Sequence, residues 1–249
     1  MDENFVLNVK KFKTELEDGL FFESNIPQGF GLGSSGAIVA AIFLRYLDKA
    51  HEFKTEIKSL TKEKIATLKR TLSQLESYFH GSSSGIDPLS ILLNQPLLFR
   101  NVNDVAPVEI PAFNPEGKNV VFLVNTGLSR STSGLVGKFK ASCEDPLFRE
   151  RMDNELVQFT NGGIQSFLEN KPEEFYVNMD KLVNFQLAEM HYLIPDQFKP
   201  AVKSGLDNGD YFLKICGSGG GGFMLGFTQD WESTAKKLDG LDVEVIYKY

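Results

Sequence analysis

The segment Pro27-Gln-Gly-Phe-Gly-Leu-Gly-Ser-Ser35 constrains this chain more than any other stretch. Its glycines at 29, 31 and 33 lie between an alternating run, Leu20–Ile26, and an apolar run, Ala37 to about Glu52. The first run reads as a strand stopped by Pro27, the second as a helix. Glycines let backbone N–H groups come close to a phosphate, and a helix starting at Gly36 would aim its positive end at the same place. Ser34 and Ser35 can donate to a phosphate oxygen or ligate a metal. The plainer reading is a tight strand-to-helix turn with a serine cap. The Walker spacing G-x-x-x-x-G-K-S/T is absent, so this is not a P-loop.

Composition narrows the function classes. Acidic residues outnumber basic ones, 33 to 26, giving a net charge of −7. The phosphate backbone of a nucleic acid would repel such a chain, and the densest basic run, Lys10, Lys11 and Lys13, reads as a solvated face. No apolar stretch approaches the roughly 20 residues that span a bilayer. The acidic start Met-Asp-Glu-Asn lacks the layout of a signal peptide, and Cys143 and Cys216 form neither a CxxC pair nor a disulfide framework. These features point to a cytoplasmic protein, with neither nucleic acid nor membrane as partner.

Further along, Thr61 can cap a helix whose apolar positions Ile65, Leu68, Leu72, Leu75 and Phe79 follow a 3-4-3-4 spacing. Leu97–Phe99, Val120–Val124, Phe212–Ile215, Phe223–Phe227 and Asp242–Tyr249 read as strands. Met152–Glu169 and Pro172–Tyr192 read as helices. Ala106–Lys118, with three prolines and a Pro-Glu-Gly turn, marks a boundary, giving domains 1–110 and 111–249. Strands and helices mix without a βαβ rhythm, so the expected class is α+β.

Three more segments can carry chemistry. Glu76 borders the apolar stripe of its helix, where a carboxylate is costly unless a cation meets it; Mg²⁺ takes one or two carboxylates alongside phosphates. Asp87, after Ser82-Ser-Ser-Gly-Ile86, can accept a hydroxyl proton, although Asp-Pro is also a common helix start. Gly217-Ser-Gly-Gly-Gly-Gly222 matches G-x-G-x-x-G literally, yet a strand follows it rather than a helix, so the dinucleotide reading fails. A loop packed against a ligand or against another loop's phosphate site fits that tract better than a hairpin turn. In Asn125-Thr-Gly-Leu-Ser-Arg-Ser-Thr132, Arg130 offers a planar donor fork for a carboxylate or phosphate, or simply a surface ion pair. His51, His80 and His191 have no ligand spacing, and no G-x-S-x-G elbow exists for a hydrolase.

Taken in order, these segments resemble the GHMP kinases. Pro27–Ser35 is similar to the family's second motif and Lys214–Gly222 to its third. Glu76-x-x-x-His80-Gly-x-x-Ser84-Gly-x-Asp87 and Asn125-Thr-x-x-x-Arg130-x-Thr132 resemble the mevalonate kinase branch. The resemblance implies two α+β domains with the active site between them, ATP and Mg²⁺ as cofactors, a small mevalonate-like acceptor, and a homodimer as the assembly. It implies that Gly29, Gly31, Leu32, Gly33, Ser34 and Ser35 bind the ATP phosphates. Gly217, Ser218, Gly219 and Gly220 would add to the phosphate-binding face. Ser35 and Glu76 would hold the metal, Asp87 would act as the proton acceptor, and Arg130 and Thr132 would lie near the acceptor. Phosphomevalonate kinase, diphosphomevalonate decarboxylase and a non-catalytic nucleotide-binding homologue are the alternative readings. Pro88 and Ser218 stand where the family usually has Asn and Ala. The family's first motif, amino-terminal strands and a loop with a lysine, has no counterpart, so the chain is expected to start some tens of residues into the fold.

Overall fold

A computed structural model of the chain describes residues 5–101, 104–129 and 132–249, with the side chains of His80, Thr132 and Ser133 outside the description. The backbone forms two compact units. The first comprises the chain up to Pro27 and Gly33–Glu109; the second comprises Gln28–Leu32 and Ile110–Tyr249.

The first unit is mainly helical. Helix α1 (Val9–Glu17) is capped by Asn8, whose Oδ1 accepts the Lys11 N–H at 2.9 Å. After α2 (Ser34–Tyr46) and α3 (Ala50–Glu56) comes α4 (Lys62–His80), capped by Thr61 as its sequence indicates. Ile65, Leu68 and Leu72 of its stripe are fully buried, while Phe79 at the far end lies exposed. Helix α5 (Ile86–Leu93) packs against both α2 and α4, and a short antiparallel pair, β1 (Leu97–Phe99) and β2 (Val105–Pro107), follows. Val39 and Phe43 of α2, Ile65, Leu68 and Leu72 of α4, and Leu89 and Leu93 of α5 belong to one core.

Two expectations fail here, each for a tertiary reason. The helix expected from Ala37 to about Glu52 breaks at Leu47, whose backbone is extended. Asn8 N–H donates to the Tyr46 carbonyl at 2.7 Å and Asp48 N–H to the Val6 carbonyl at 3.0 Å, so residues 6–8 take over backbone groups near the end of α2. The strand expected at Leu20–Ile26 does not form. That segment carries no regular secondary structure and no sheet pairing, and Phe21 is 80% exposed. Alternation supplied two faces, but no neighbouring strand lies beside it among the described residues.

The second unit is built on an antiparallel sheet in the order β4 (Tyr211–Ile215), β5 (Phe223–Thr228), β3 (Val120–Asn125), β6 (Asp242–Lys248). Strand β3 is central and apolar on both faces, with Phe122 fully buried. Phe122 pairs with Gly226 of β5, where an added Cβ would sit 2.2 Å from the phenylalanine ring, so the glycine makes room for it. Strand β6 alternates half-buried and exposed positions, the pattern of a strand with one wet face.

Among the described residues, six α-helices complete the unit. Helix α6 (Thr132–Ser142) is followed by α7 (Pro146–Arg151), which runs through a π turn at Met152–Leu156 into α8 (Val157–Leu168). Helix α9 (Pro172–Glu189) buries Phe175, Met179, Leu182, Val183 and Phe185, and packs on α8 and β4; α10 (Lys199–Asn208) covers β4 and α11 (Trp231–Lys237) precedes β6. The α+β class read from the sequence holds. No described helix is long and apolar enough to cross a membrane.

Candidate active site

Within the first unit, two helices start from left-handed glycines, Gly33 before α2 and Gly85 before α5. Such a φ is easy for glycine and costly for other residues. At Gly33 the turn brings the start of α2 against Asp87: a Cβ there would meet the Asp87 side chain at 3.4 Å. At Gly36 an added Cβ would lie 2.8 Å from Asp87 Cβ and 2.9 Å from the Pro88 nitrogen. Gly36 is therefore a close-approach residue, and its hydrogen side chain allows the first turns of α2 and α5 to touch. Gly85 has the same duty toward α4, since a Cβ there would be 2.5 Å from the Lys69 carbonyl. Asp87 is exposed in the first turn of α5, where helix geometry stabilises negative charge.

Glu76, on α4, is only 4% exposed. Its Oε1 accepts the Ser35 hydroxyl at 3.2 Å, and its Oε2 accepts the Ser83 hydroxyl. No salt bridge reaches it among the described residues. A buried carboxylate held only by neutral hydroxyls is costly. Its surroundings suit a hard cation that takes oxygen ligands, and Ser35 and Glu76, expected from the sequence to share a metal, lie side by side. Groups of three or more His, Cys, Asp or Glu that could hold a metal are absent among the described residues. Mg²⁺ does not need one, because it usually keeps water and substrate phosphate among its ligands. Ser83 escaped the sequence reading as a site residue. The signal was present in the Ser82-Ser-Ser84 run, but nothing in the sequence distinguished one serine from its neighbours.

The glycine tract belongs to the second unit, as does Gln28–Leu32. There the two glycine segments touch: an added Cβ on Gly222 would lie 2.2 Å from the Phe30 carbonyl oxygen, and the Phe30 and Phe223 rings are 6.3 Å apart. Gly221 is pressed against the Leu128 carbonyl, Gly220 against the Leu135 side chain and Gly219 against the Leu193 carbonyl. Gly220 N–H donates to Leu193 O at 2.6 Å and Gly222 N–H to Leu128 O at 2.8 Å, while the Thr126 hydroxyl donates to Gly222 O at 2.7 Å. Protein backbone, and at Gly220 the Leu135 side chain, thus fills the space that these glycines leave. Gly217 stays at the surface, and the Ser218 hydroxyl oxygen is buried with no hydrogen-bond partner among the described residues. Before the tract, burial pushes the Lys214 ammonium below the ordinary lysine range, and its Nζ donates to the Ile215 carbonyl at 2.9 Å.

Of the residues singled out from the sequence, Gly33, Ser34, Ser35, Glu76 and Asp87 lie in the first unit. Gly29, Gly31, Leu32 and Gly217–Gly220 lie in the second. Arg130 lies outside the described residues, and Thr132 begins α6 with its side chain outside the description.

Residues 4–94 match the family described as GHMP kinases N terminal domain. The chain is 28% identical over 233 residues to the mevalonate kinase of Thermococcus sibiricus, covering 87% of this chain and 62% of that relative. Its fold is similar to that of L. major mevalonate kinase solved in complex with R-mevalonate (TM-score 0.59, 17% identity, 87% of this chain and 66% of that one). It is equally similar to Streptococcus pneumoniae phosphomevalonate kinase solved with phosphomevalonate and AMPPNP (TM-score 0.60, 15% identity, 87% of this chain and 69% of that one). The chain is therefore GHMP kinase-like in sequence and fold, with mevalonate kinase as the resemblance in sequence.

Proposed function

We propose that this chain belongs to a small-molecule kinase that transfers the γ-phosphoryl group of ATP to a hydroxyl, with mevalonate as the acceptor. One observation carries the reading: the Ser35–Glu76 hydrogen bond and the Gly33/Gly36–Asp87 contact occur together at the start of α2. A helix start with free N–H groups binds phosphate; a hydroxyl beside a buried carboxylate binds a hard cation; a nearby exposed aspartate can take a proton.

In this reading the first-turn N–H groups of α2, with Ser34, bind and orient the phosphates. Ser35 and Glu76 hold Mg²⁺, which when bound neutralises charge on the triphosphate. Asp87 orients the acceptor hydroxyl and accepts its proton at a carboxylate oxygen as the oxygen attacks phosphorus in line. Ser83 anchors the second oxygen of Glu76 and keeps its first turned toward Ser35. The mevalonate assignment is supported by the sequence resemblance; the fold likeness does not separate mevalonate from phosphomevalonate.

ADP release measured with mevalonate, 5-phosphomevalonate and 5-diphosphomevalonate tests the acceptor, and turnover of mevalonate alone is expected. Asp87→Asn is expected to lower kcat by about 10³-fold or more with ATP binding little changed, as the loss of a positioned base would do. Near-normal turnover would remove Asp87 from this role.

A further inference from the structure

Within the first unit, the hydroxyl of Ser83 joins α4 to the start of α5. It donates to Glu76 Oε2 on α4 and accepts the Gly85 N–H at 3.0 Å, and Gly85 is the residue from which α5 starts. The Ser83 carbonyl accepts the Ser73 hydroxyl of α4 at 2.5 Å. Gly85 itself is pressed onto α4, since an added Cβ there would lie 2.9 Å from the Ser73 nitrogen. One side chain therefore links a buried carboxylate to the backbone that sets the first turn of α5, where Asp87 lies.

The direction of these bonds matters. A hydroxyl carries one proton and two lone pairs, whereas a backbone N–H can only donate. The Ser83 proton is thus committed to Glu76 and a lone pair to Gly85, which makes a chain from N–H to O–H to carboxylate. Bonds in such a chain polarise and strengthen one another, and the carboxylate makes its end charge-assisted. The neighbouring serine is used differently: the Ser84 hydroxyl accepts the Ile86 N–H at 3.3 Å, a contact within its own turn. The last torsion of a glutamate is soft. Tying Oε2 to Ser83 removes that freedom, so a ligand at the other oxygen meets a carboxylate already set.

We propose that Ser83 is a positioning residue that couples metal binding at Glu76 to the placement of the helix carrying Asp87. The inference rests on the reading above, in which Ser35 and Glu76 hold Mg²⁺ and Asp87 accepts the hydroxyl proton. With the metal held, Glu76 no longer turns, the Ser83 hydroxyl is fixed to it, and the Gly85 N–H is fixed to Ser83. The start of α5 is then ordered in the same event as the metal site, so the proton acceptor is in place when the triphosphate is. Coupling of this kind is reciprocal: an acceptor that orders α5 tightens the metal by the same factor.

The test needs no turnover. Mg²⁺ is titrated calorimetrically into the full chain with AMPPNP present, and the start of α5 is followed by amide hydrogen exchange at residues 85–87. In the parent chain, Mg²⁺ is expected to slow exchange at these amides about threefold or more, as a smaller population of locally open states would. Ser83→Ala is expected to weaken Mg²⁺ about tenfold or more, the usual effect of removing the partner of a ligating carboxylate. It is also expected to abolish the slowing, even at saturating Mg²⁺. Ser83→Thr keeps a hydroxyl and is expected to recover both. A merely structural role would lower the Tm of Ser83→Ala and speed exchange with or without metal, but would leave the response to Mg²⁺ in place. The proposal is overturned if Ser83→Ala binds Mg²⁺ as tightly as the parent, if exchange at 85–87 still responds to saturating Mg²⁺ in that variant, or if Ser83→Thr is as impaired as Ser83→Ala. Those outcomes sink this inference alone. No Mg²⁺-dependent binding of AMPPNP by the parent chain would sink the kinase reading and this one together.

Discussion

The start of α2 and the tract at 217–222 are both glycine-rich, yet the glycines serve different ends. At α2, Gly33 and Gly36 open space for an exposed side chain, Asp87, and for the nitrogen of the proline that follows it. In the tract, Gly219, Gly221 and Gly222 open space for the carbonyls of Leu193, Leu128 and Phe30. Glycine content alone is thus a poor guide to ligand binding. What a methyl group would strike at each position separates a chemical site from a structural knot.

That difference predicts which kind of damage each substitution does. Gly222→Ala is expected to be the most harmful to the fold. It places a Cβ 2.2 Å from the Phe30 carbonyl at a φ of +67°. The left-handed backbone costs about 1–2 kcal/mol and the clash about 1–3 more. A fall in Tm of about 10 °C is expected by calorimetry, on the scale of a few degrees per kcal/mol for a chain of this size. A variant as stable as the parent would show that the two glycine segments do not touch as described.

Gly36→Ala should act on turnover instead. Its helical position favours alanine by about 1 kcal/mol, which offsets part of the crowding against Asp87 and Pro88. Stability should change by no more than about 2 kcal/mol, while displacing Asp87 should lower kcat about 100-fold, as small misplacements of reacting groups do. A large loss of stability with turnover intact would reverse the comparison. Gly134→Ala, in α6 with nothing within 4 Å of the added Cβ, is the reference case. It should raise stability by about 0.5–1 kcal/mol in denaturant unfolding, the ordinary gain of alanine over glycine in a helix.

Much of the fold was legible because local pattern and tertiary packing agreed. The Thr61 cap and the Ile65, Leu68, Leu72 stripe gave α4, and short apolar or alternating runs gave β1, β3, β4, β5 and β6. The candidate site was legible as residue types. Glu76 was marked by a carboxylate bordering a buried stripe, Ser35 by its place after the glycines. Their mutual contact was not readable, since 41 residues separate them and only the packing of α2 on α4 joins them. Helix α1 was missed because its lysines masked the apolar positions Phe12 and Leu16, and β2 because it overlaps a proline-rich stretch read as a boundary.

The sequence by itself determined where backbone freedom, capping and burial occur, because these depend on residues within a turn or two of one another. Tertiary structure alone decided where α2 stops, that Leu20–Ile26 finds no strand partner among the described residues, and which glycine faces a carboxylate and which a carbonyl. Those outcomes depend on which backbone groups from distant segments arrive within hydrogen-bonding or contact distance. Residue spacing along a chain does not encode that proximity.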